Sequence, residues 1–521
     1  MYVKILSATV TGIDGQIIEV EVDLASGLPQ MTIVGLPDNA IREATERVRA
    51  AIKNSGYQYP LGRITVNLAP ADLRKEGSAF DLAIAIGILA CSGQLAHNVF
   101  NNCVVLGELS LDGKLKSVTG VLSMVHVARK AGYQRILLPL SNAFEARLID
   151  GIGVVPIEKL SHLDVNSDDF IDVVNYKQHL SPAELSSLSD LSPLTFSCDF
   201  SDVRGQYHAK RVLMVAAAGM HNIMFVGPPG SGKTMLIRRL PTIMSPLASD
   251  EALEVMKVYS VAGRWNDQTK LLRERPFRAP HHTISYAGML GGGTIPKPGE
   301  VSMAHHGILF LDEMPEFTRQ VLEVLRQPLE DRYVLLSRAR ASLQYPTFFT
   351  LAATMNPCPC GYYGDQTDLE RCQCTPLMIR RYRARISGPL LDRIDLHIEV
   401  PRVKYTVITG ESTDDQQAIY TSDYMRNRVI TAQMLQKIRY EGLGIRYNSE
   451  LTGRMLRLYC GLSKEANHLL HRSFDAMGFS VRTYDRILKI ARTIADLEGL
   501  TSIETPHIAE AIQYRTLDRS I

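Results

Sequence analysis

Strand-like and helix-like stretches alternate along residues 1–165. Apolar runs at residues 2–6, 17–22 and 64–68 predict strands, and residues 39–55 predict a helix. The longest strongly apolar run, over 80–91, carries a charge at Asp81 and is too short to span a bilayer, so it predicts a buried helix. The character changes over 166–198. Asp168, Asp169 and Asp172 precede a tract rich in Ser, Pro and Leu that ends at Ser192 and Pro193, which predicts a linker. A second α/β block covers 199–400. Apolar runs at 223–226, 308–311 and 347–353 lie there between helical segments and imply a layered parallel sheet. From 401 to 521 the pattern is helical, with amphipathic stretches at 423–440 and 484–498. The expected fold class is therefore multidomain α/β with a helical C-terminal domain.

The 521 residues suit about three domains, each able to bury a core. A content of 45% hydrophobic and 21% charged residues is ordinary for a globular protein, and the net charge of +2 provides no global field for a polyanion. Any nucleic-acid surface must be local. The first residues lack the basic-then-apolar layout of a signal peptide, so the expected location is the cytoplasm, without a membrane partner. The eight cysteines are then expected to be reduced unless a metal holds them.

The chemistry begins at Gly227, Pro228, Pro229, Gly230, Ser231, Gly232, Lys233 and Thr234, which follow an apolar run and open a helix. This is the phosphate-loop pattern in its required strand–loop–helix context. Its glycines let backbone N–H groups wrap phosphates, and the helix N-terminus adds positive dipole. Lys233 would reach the β- and γ-phosphates, and the Thr234 hydroxyl would hold Mg²⁺. The run ending at Asp312 and Glu313 places two acids at a strand edge. Asp312 suits the Mg²⁺ water shell, and Glu313 can polarise an attacking water. Asn356 ends a third strand-like stretch, 350–356, where an amide can orient that water or simply start a turn before Pro357. Arg393 can serve as an arginine finger for a neighbouring subunit or pair locally with Asp392 or Asp395. Arg482 opens a late helix, where it can sense phosphate in cis or stay solvated.

The segment 202–206, the phosphate loop, 281–286, Gly291 to Gly293, 311–313 and 391–395 resemble the magnesium-chelatase-like branch of AAA+ ATPases. Within that branch the whole chain is similar to the ComM/YifB family, competence-associated helicases of bacteria. The resemblance implies a Lon-protease-like N-terminal domain (1–165), a linker (166–198), an AAA+ core (199–400) and a helical lid (401–521). It also implies a homo-hexamer with ATP sites between subunits. Such a ring translocates on single-stranded and branched DNA and promotes branch migration during natural transformation, together with recombination proteins. By position, Lys233 and Thr234 match Walker A, Asp312 and Glu313 match Walker B, Asn356 matches sensor 1, Arg393 the finger in trans, and Arg482 sensor 2. Val203, Gly205 and Gln206 lie where the family packs the nucleotide base. Two insertions, 285–303 with Lys297 and 332–345 with Arg338 and Arg340, would face the pore. There the arginines line a DNA channel or remain ordinary hairpin charges.

Residues 75–79, 104–113 and 131–139 resemble the Lon proteolytic domain. The Ser and Lys of the Lon dyad would fall at Ala79 and Leu122, neither of which can act as nucleophile or base. Cys358, Cys360, Cys372 and Cys374 form two Cys-x-Cys pairs, which in a reducing compartment suit a structural Zn²⁺ or stay reduced thiols. A metal there would brace the finger region or present a DNA-facing knuckle. Three functions follow: a DNA motor, a chelatase-like motor that remodels a protein partner, and a ring scaffold without turnover. The intact set of Lys233, Glu313 and Arg393 argues against the last.

Overall fold

The computed structural model describes residues 1–72, 75, 77–163, 196–264, 273–293, 296–338, 341–364, 371–403, 407 and 420–515. Most of the expected linker, 166–195, lies outside the described residues. The chain divides into two compact units, Met1–Ser192 with Ala252–Leu272 and Ser337–Gln344, and Pro193–Glu251 with Arg273–Leu336 and Tyr345–Ile521.

The first unit is built on a seven-stranded mixed sheet in the order Gln30–Val34, Arg63–Ala69, Asp14–Ala25, Tyr2–Thr11, Cys103–Val105, Arg135–Pro139, Gly153–Ile157. Tyr2–Thr11 and Asp14–Ala25 pair antiparallel from Tyr2↔Asp23 to Thr11↔Asp14. The turn between them starts at Gly12 with φ +67, the left-handed entry that matches strand twist. The first strand runs past the expected 2–6 because its polar positions are satisfied inside the sheet. Buried Ser7 donates its hydroxyl to Val105 O at 2.8 Å. The helix Asn39–Asn54 is N-capped by Asp38, whose carboxylate accepts from Ile41 N at 2.8 Å. In the helix Asp81–Cys91 every residue is buried, which is the outcome expected for 80–91. Its one charge, Asp81, pairs with Arg47 at 2.9 Å. Ala79 and Leu122 are buried apolar side chains. Within this unit Gly120 N donates to Ser260 O at 3.2 Å, and a Cβ on Gly12 would stand 3.0 Å from Gln344 O.

The second unit holds a five-stranded sheet in the order Phe277–Arg278, Ile308–Leu311, Thr350–Met355, Ile223–Val226, Leu396–Glu399. Every neighbouring pair is parallel, as the layered pattern predicted. The three central strands are buried throughout, which is why they read as continuous apolar runs rather than alternating ones. The third strand starts at Thr350, not at 347. Thr347 N instead bonds Arg332 O and Phe348 N bonds His305 Nδ1, so 347–349 join a hairpin to the sheet. The C-terminal helices Ser422–Arg439 and Val481–Glu498 pack against the helix Tyr207–Gly219 and share one apolar core with the sheet. Two small hairpins are present. Gly291–Gly292 pairs with Lys297–Pro298, and Tyr333–Arg338 pairs with Ala341–Pro346. Gly291 is obligatory, because a Cβ there would meet Lys297 O at 2.3 Å.

Candidate nucleotide site and cysteine cluster

The strand Ile223–Val226 ends at Gly227, and a Cβ on Gly227 would meet Val400 O at 2.2 Å. Gly230 and Gly232 take φ +78 and +89, so the loop turns through left-handed positions into the helix Lys233–Arg238. Lys233 is 9% exposed and donates to Gly227 O at 2.7 Å and Pro228 O at 2.9 Å. Its Nζ is 3.4 Å from Asn356 Oδ1. Burial pushes its pKa down, against the opposing pull of Asp312 and Glu313. Ser231 Oγ is buried without a hydrogen-bond partner among the described residues, an orphan donor that suits a phosphate oxygen.

The acids stand beside this loop. Thr234 Oγ1 lies 3.1–3.2 Å from both carboxylate oxygens of Asp312. Hydroxyl and carboxylate thus converge as hard oxygen ligands for Mg²⁺ should. Thr354, which sequence reasoning missed, donates to Asp312 and accepts from Glu313 N. Its signal was a polar side chain within an otherwise apolar strand, two residues before Asn356 and hence on the same side. Glu313 itself has φ +51, a left-handed conformation that a non-glycine residue adopts at a cost.

In the 202–206 segment, Gln206 also has φ +54 and donates to Pro401 O at 2.7 Å and Ser231 O at 3.4 Å. It thereby ties the 202–206 segment to the phosphate loop. Gly205 (φ +63) stands against Val407 and Val403, and Val203 is buried with its carbonyl accepting from Lys210 Nζ at 2.6 Å. Fully buried Lys210 is a second residue that the sequence pattern did not single out.

Arg393 lies at the opposite, N-terminal end of the strands. Asn222, just before the strand Ile223–Val226, donates to Arg393 O at 2.8 Å, and its own N–H reaches Asp395 at 3.1 Å. The phosphate loop leaves the other end of that strand, roughly 10 Å further along. Arg393 does not pair with Asp392 or Asp395. Its side chain bonds Arg326 O at 3.1 Å, Pro389 O at 2.6 Å and the Glu330 carboxylate. Asp395 instead meets Arg486 at 3.2 Å. Arg482 is well exposed and lies 3.7 Å from Asp392. In this chain it therefore stands near the segment that carries Arg393.

Residues 199–408 match the family model described as magnesium chelatase, subunit ChlI. Residues 20–142 match subunit ChlI of Mg-chelatase, and residues 420–515 match the ChlI C-terminal model. Over 516 residues the chain is 42% identical to competence protein ComM of Haemophilus influenzae, covering 98% of this chain and 96% of that protein. Over 513 residues it is 41% identical to YifB of Escherichia coli, with 98% and 96% covered. The chain belongs to the ComM/YifB family. Membership makes it a magnesium-chelatase-like AAA+ ATPase with ATP and Mg²⁺ as its cofactors. A shorter similarity, 31% over 150 residues, links it to Lon protease 2 of Bacillus subtilis, covering 27% of this chain and 26% of that one.

In this ComM/YifB chain the four cysteines converge. Their sulfurs all lie within 4.8 Å of one another. Cys358 and Cys360 are 3.3 Å apart, Cys358 and Cys372 3.8 Å, and Cys360 and Cys372 3.6 Å. Four sulfurs about 2.3 Å from a tetrahedral Zn²⁺ are separated by about 3.8 Å, so the set fits that ion. Tyr363 N donates to Cys358 Sγ at 3.3 Å. Burial raises the Cys360 thiol, but the Tyr362 amide and the other thiols outweigh it and hold it at about 7. Cys91, Cys103 and Cys460 are buried elsewhere.

Lys297 is exposed on the first hairpin, opposite Gly292. Arg338 ends the first strand of the second hairpin, but its side chain, and all of Arg340, lie outside the described residues. Among the described residues no helix is long and apolar enough to cross a membrane.

Proposed function

We propose that this chain is an ATP-driven motor that acts on branched DNA and promotes branch migration of incoming strands during natural transformation. The observation that carries the reading is the split of the catalytic set between the two ends of the parallel strands. Lys233, Thr234, Asp312, Glu313 and Asn356 gather at the phosphate loop, while Arg393 stands at the far end. A complete site then needs a second copy, which supports a closed ring, in this family a hexamer. The name of the Haemophilus relative, a competence protein, supports the DNA role.

In this reading, the wrapping amides and Lys233 bind the phosphates, and Ser231 Oγ donates to one of them. Thr234 and Asp312 would hold Mg²⁺, which would supply positive charge to offset that of the phosphates. Glu313 polarises the attacking water, Asn356 orients it, the neighbour's Arg393 meets the charge that develops on the γ-phosphate, and Arg482 serves as the sensor-2 arginine of the lid. Val203, Gly205 and Gln206 form the base end. Lys297, Arg338 and Arg340 line the DNA path by backbone contacts. The domains are 1–165, a linker at 166–198, the core 199–400 and the lid 401–521, in a cytoplasmic protein. The first domain is a proteolytically inert Lon-like module, since Ala79 and Leu122 replace the dyad. The four cysteines hold a structural Zn²⁺.

The test is ATP turnover with and without single-stranded and four-way-junction DNA, with strand exchange followed in the same samples. Stimulation with ATP-dependent exchange, lost in Lys233→Ala, supports the motor. Turnover indifferent to every DNA favours the second reading, a motor that remodels a protein partner, to which the ChlI family description points.

A further inference from the structure

The four-cysteine loop lies against the phosphate loop. Gly361, at φ +86, approaches Pro229 so closely that a Cβ there would meet its ring carbons at 2.7 and 2.8 Å. The same Cβ would stand 3.9 Å from the Asn356 side chain. Gly361 is held in this place by the first cysteine pair, because its N–H donates to Cys358 O at 3.0 Å. Cys358 is fully buried and only two positions beyond Asn356. A second contact runs in parallel. Arg402 places its guanidinium 5.4 Å over the Tyr362 ring and 3.5 Å from Pro229 O.

The second cysteine pair is anchored differently. Cys374 leads into Thr375, which N-caps the helix Pro376–Arg383. Arg383 from that helix reaches back to Pro357 O at 3.4 Å and over the Tyr363 ring at 5.9 Å. Two arms, one hung from Asn356 and one from the helix, thus meet at the four sulfurs. Thiols are weak donors and acceptors, so sulfur contacts alone join them loosely, whereas a metal fixes all four at once.

From this geometry we infer that the cysteine cluster is a metal-dependent clamp on the nucleotide site: Zn²⁺ bound by Cys358, Cys360, Cys372 and Cys374 presses Gly361 onto Pro229 and fixes Asn356, so that metal occupancy sets nucleotide affinity. The inference rests on the zinc reading above and replaces a DNA-facing knuckle with a positioning role. Cys358, Gly361 and Tyr362 act through Pro229 and Asn356, and none needs to touch the nucleotide.

The experiment uses the full chain purified without chelator, with zinc measured by mass spectrometry and affinity by fluorescence of a methylanthraniloyl-ATP in Mg²⁺ buffer. The expected result is about one zinc per chain. Stripping with 1,10-phenanthroline should weaken the nucleotide by about tenfold or more, since small misplacements of positioning groups cost that much. Returning Zn²⁺ should restore it. Gly361→Ala, which alters no cysteine, should keep its zinc yet bind nucleotide as poorly as the stripped protein. Zinc that comes and goes without change in nucleotide affinity overturns the clamp but leaves the metal site standing. The same holds if Gly361→Ala binds like wild type, or if only junction-DNA binding falls on stripping. Protein that carries no zinc and takes none up overturns both.

Discussion

Thr354 Oγ1 donates to Asp312 Oδ1 at 2.5 Å, and the Glu313 amide donates to the same hydroxyl at 3.0 Å. One side chain thus positions both acids. A hydroxyl has a single proton, and Asp312 takes it, which leaves the oxygen lone pairs to receive the Glu313 N–H. That bond also holds Glu313 in its left-handed conformation, which costs roughly 1–2 kcal/mol for a residue with a Cβ. Thr354→Val keeps the shape and removes both bonds. Nucleotide binding should stay within a few-fold of wild type, while turnover should fall by about tenfold to a hundredfold. Thr354→Ser should recover most of it. Steady-state turnover beside nucleotide titration separates the two effects, and a valine variant with wild-type turnover would refute the positioning role.

Lys233 is buried beside the carbonyls of Gly227 and Pro228, with its charge already opposed by desolvation. A neutral, shorter side chain leaves no cation for the phosphates. Lys233→Ala should abolish nucleotide binding, read by the same fluorescence titration. Normal turnover in that variant would sink the assignment of the whole loop.

Arg393, at the far end of the strands, makes a different prediction. It is held by Glu330, Arg326 O and Pro389 O, outside the reach of its own chain's phosphate loop. Arg393→Ala should bind nucleotide normally and lose turnover by about a thousandfold, the scale of an arginine finger supplied in trans. Mixing this variant with wild type separates trans from cis action. Mixed assemblies should turn over less than their wild-type content, and strict proportionality would place Arg393 in the wrong role.

What the sequence revealed, and what it hid, follows from the range of each signal. The strands Ile223–Val226 and Ile308–Leu311 and the buried helix Asp81–Cys91 were legible because an apolar run is a local pattern. The phosphate loop was legible because its glycines and lysine are adjacent in sequence. Strand ends were less so. Ser7 and Thr9 look like a boundary until Val105 O is seen to satisfy the Ser7 hydroxyl. Thr347 and Phe348 look like strand until their amides are found bonded elsewhere. Thr354 and Gly361 act on partners across the fold, at Asp312 and Pro229, and no local period encodes such contacts.

Asp81 supplies a prediction for pH. It is buried in the wholly buried helix Asp81–Cys91, and burial raises its carboxyl to about 6 despite the opposing pull of Arg47 at 2.9 Å. Nearby Glu108 pushes the same way as burial. In an unfolded chain an aspartate titrates near 4. Between about pH 4 and 6 the folded state therefore holds more proton than the unfolded one, so stability falls as pH rises through that window. The two-unit gap bounds the loss at about 3 kcal/mol. Asp81→Asn removes the titration. At each pH, amide-exchange protection of the helix Asp81–Cys91 should be compared between wild type and Asp81→Asn, so that intrinsic exchange rates cancel. The wild type should lose protection relative to the variant from pH 4 to 6 and hold a constant difference above pH 7. A difference that stays flat across the whole range would mean that the Arg47 ion pair, not burial, sets the protonation of Asp81.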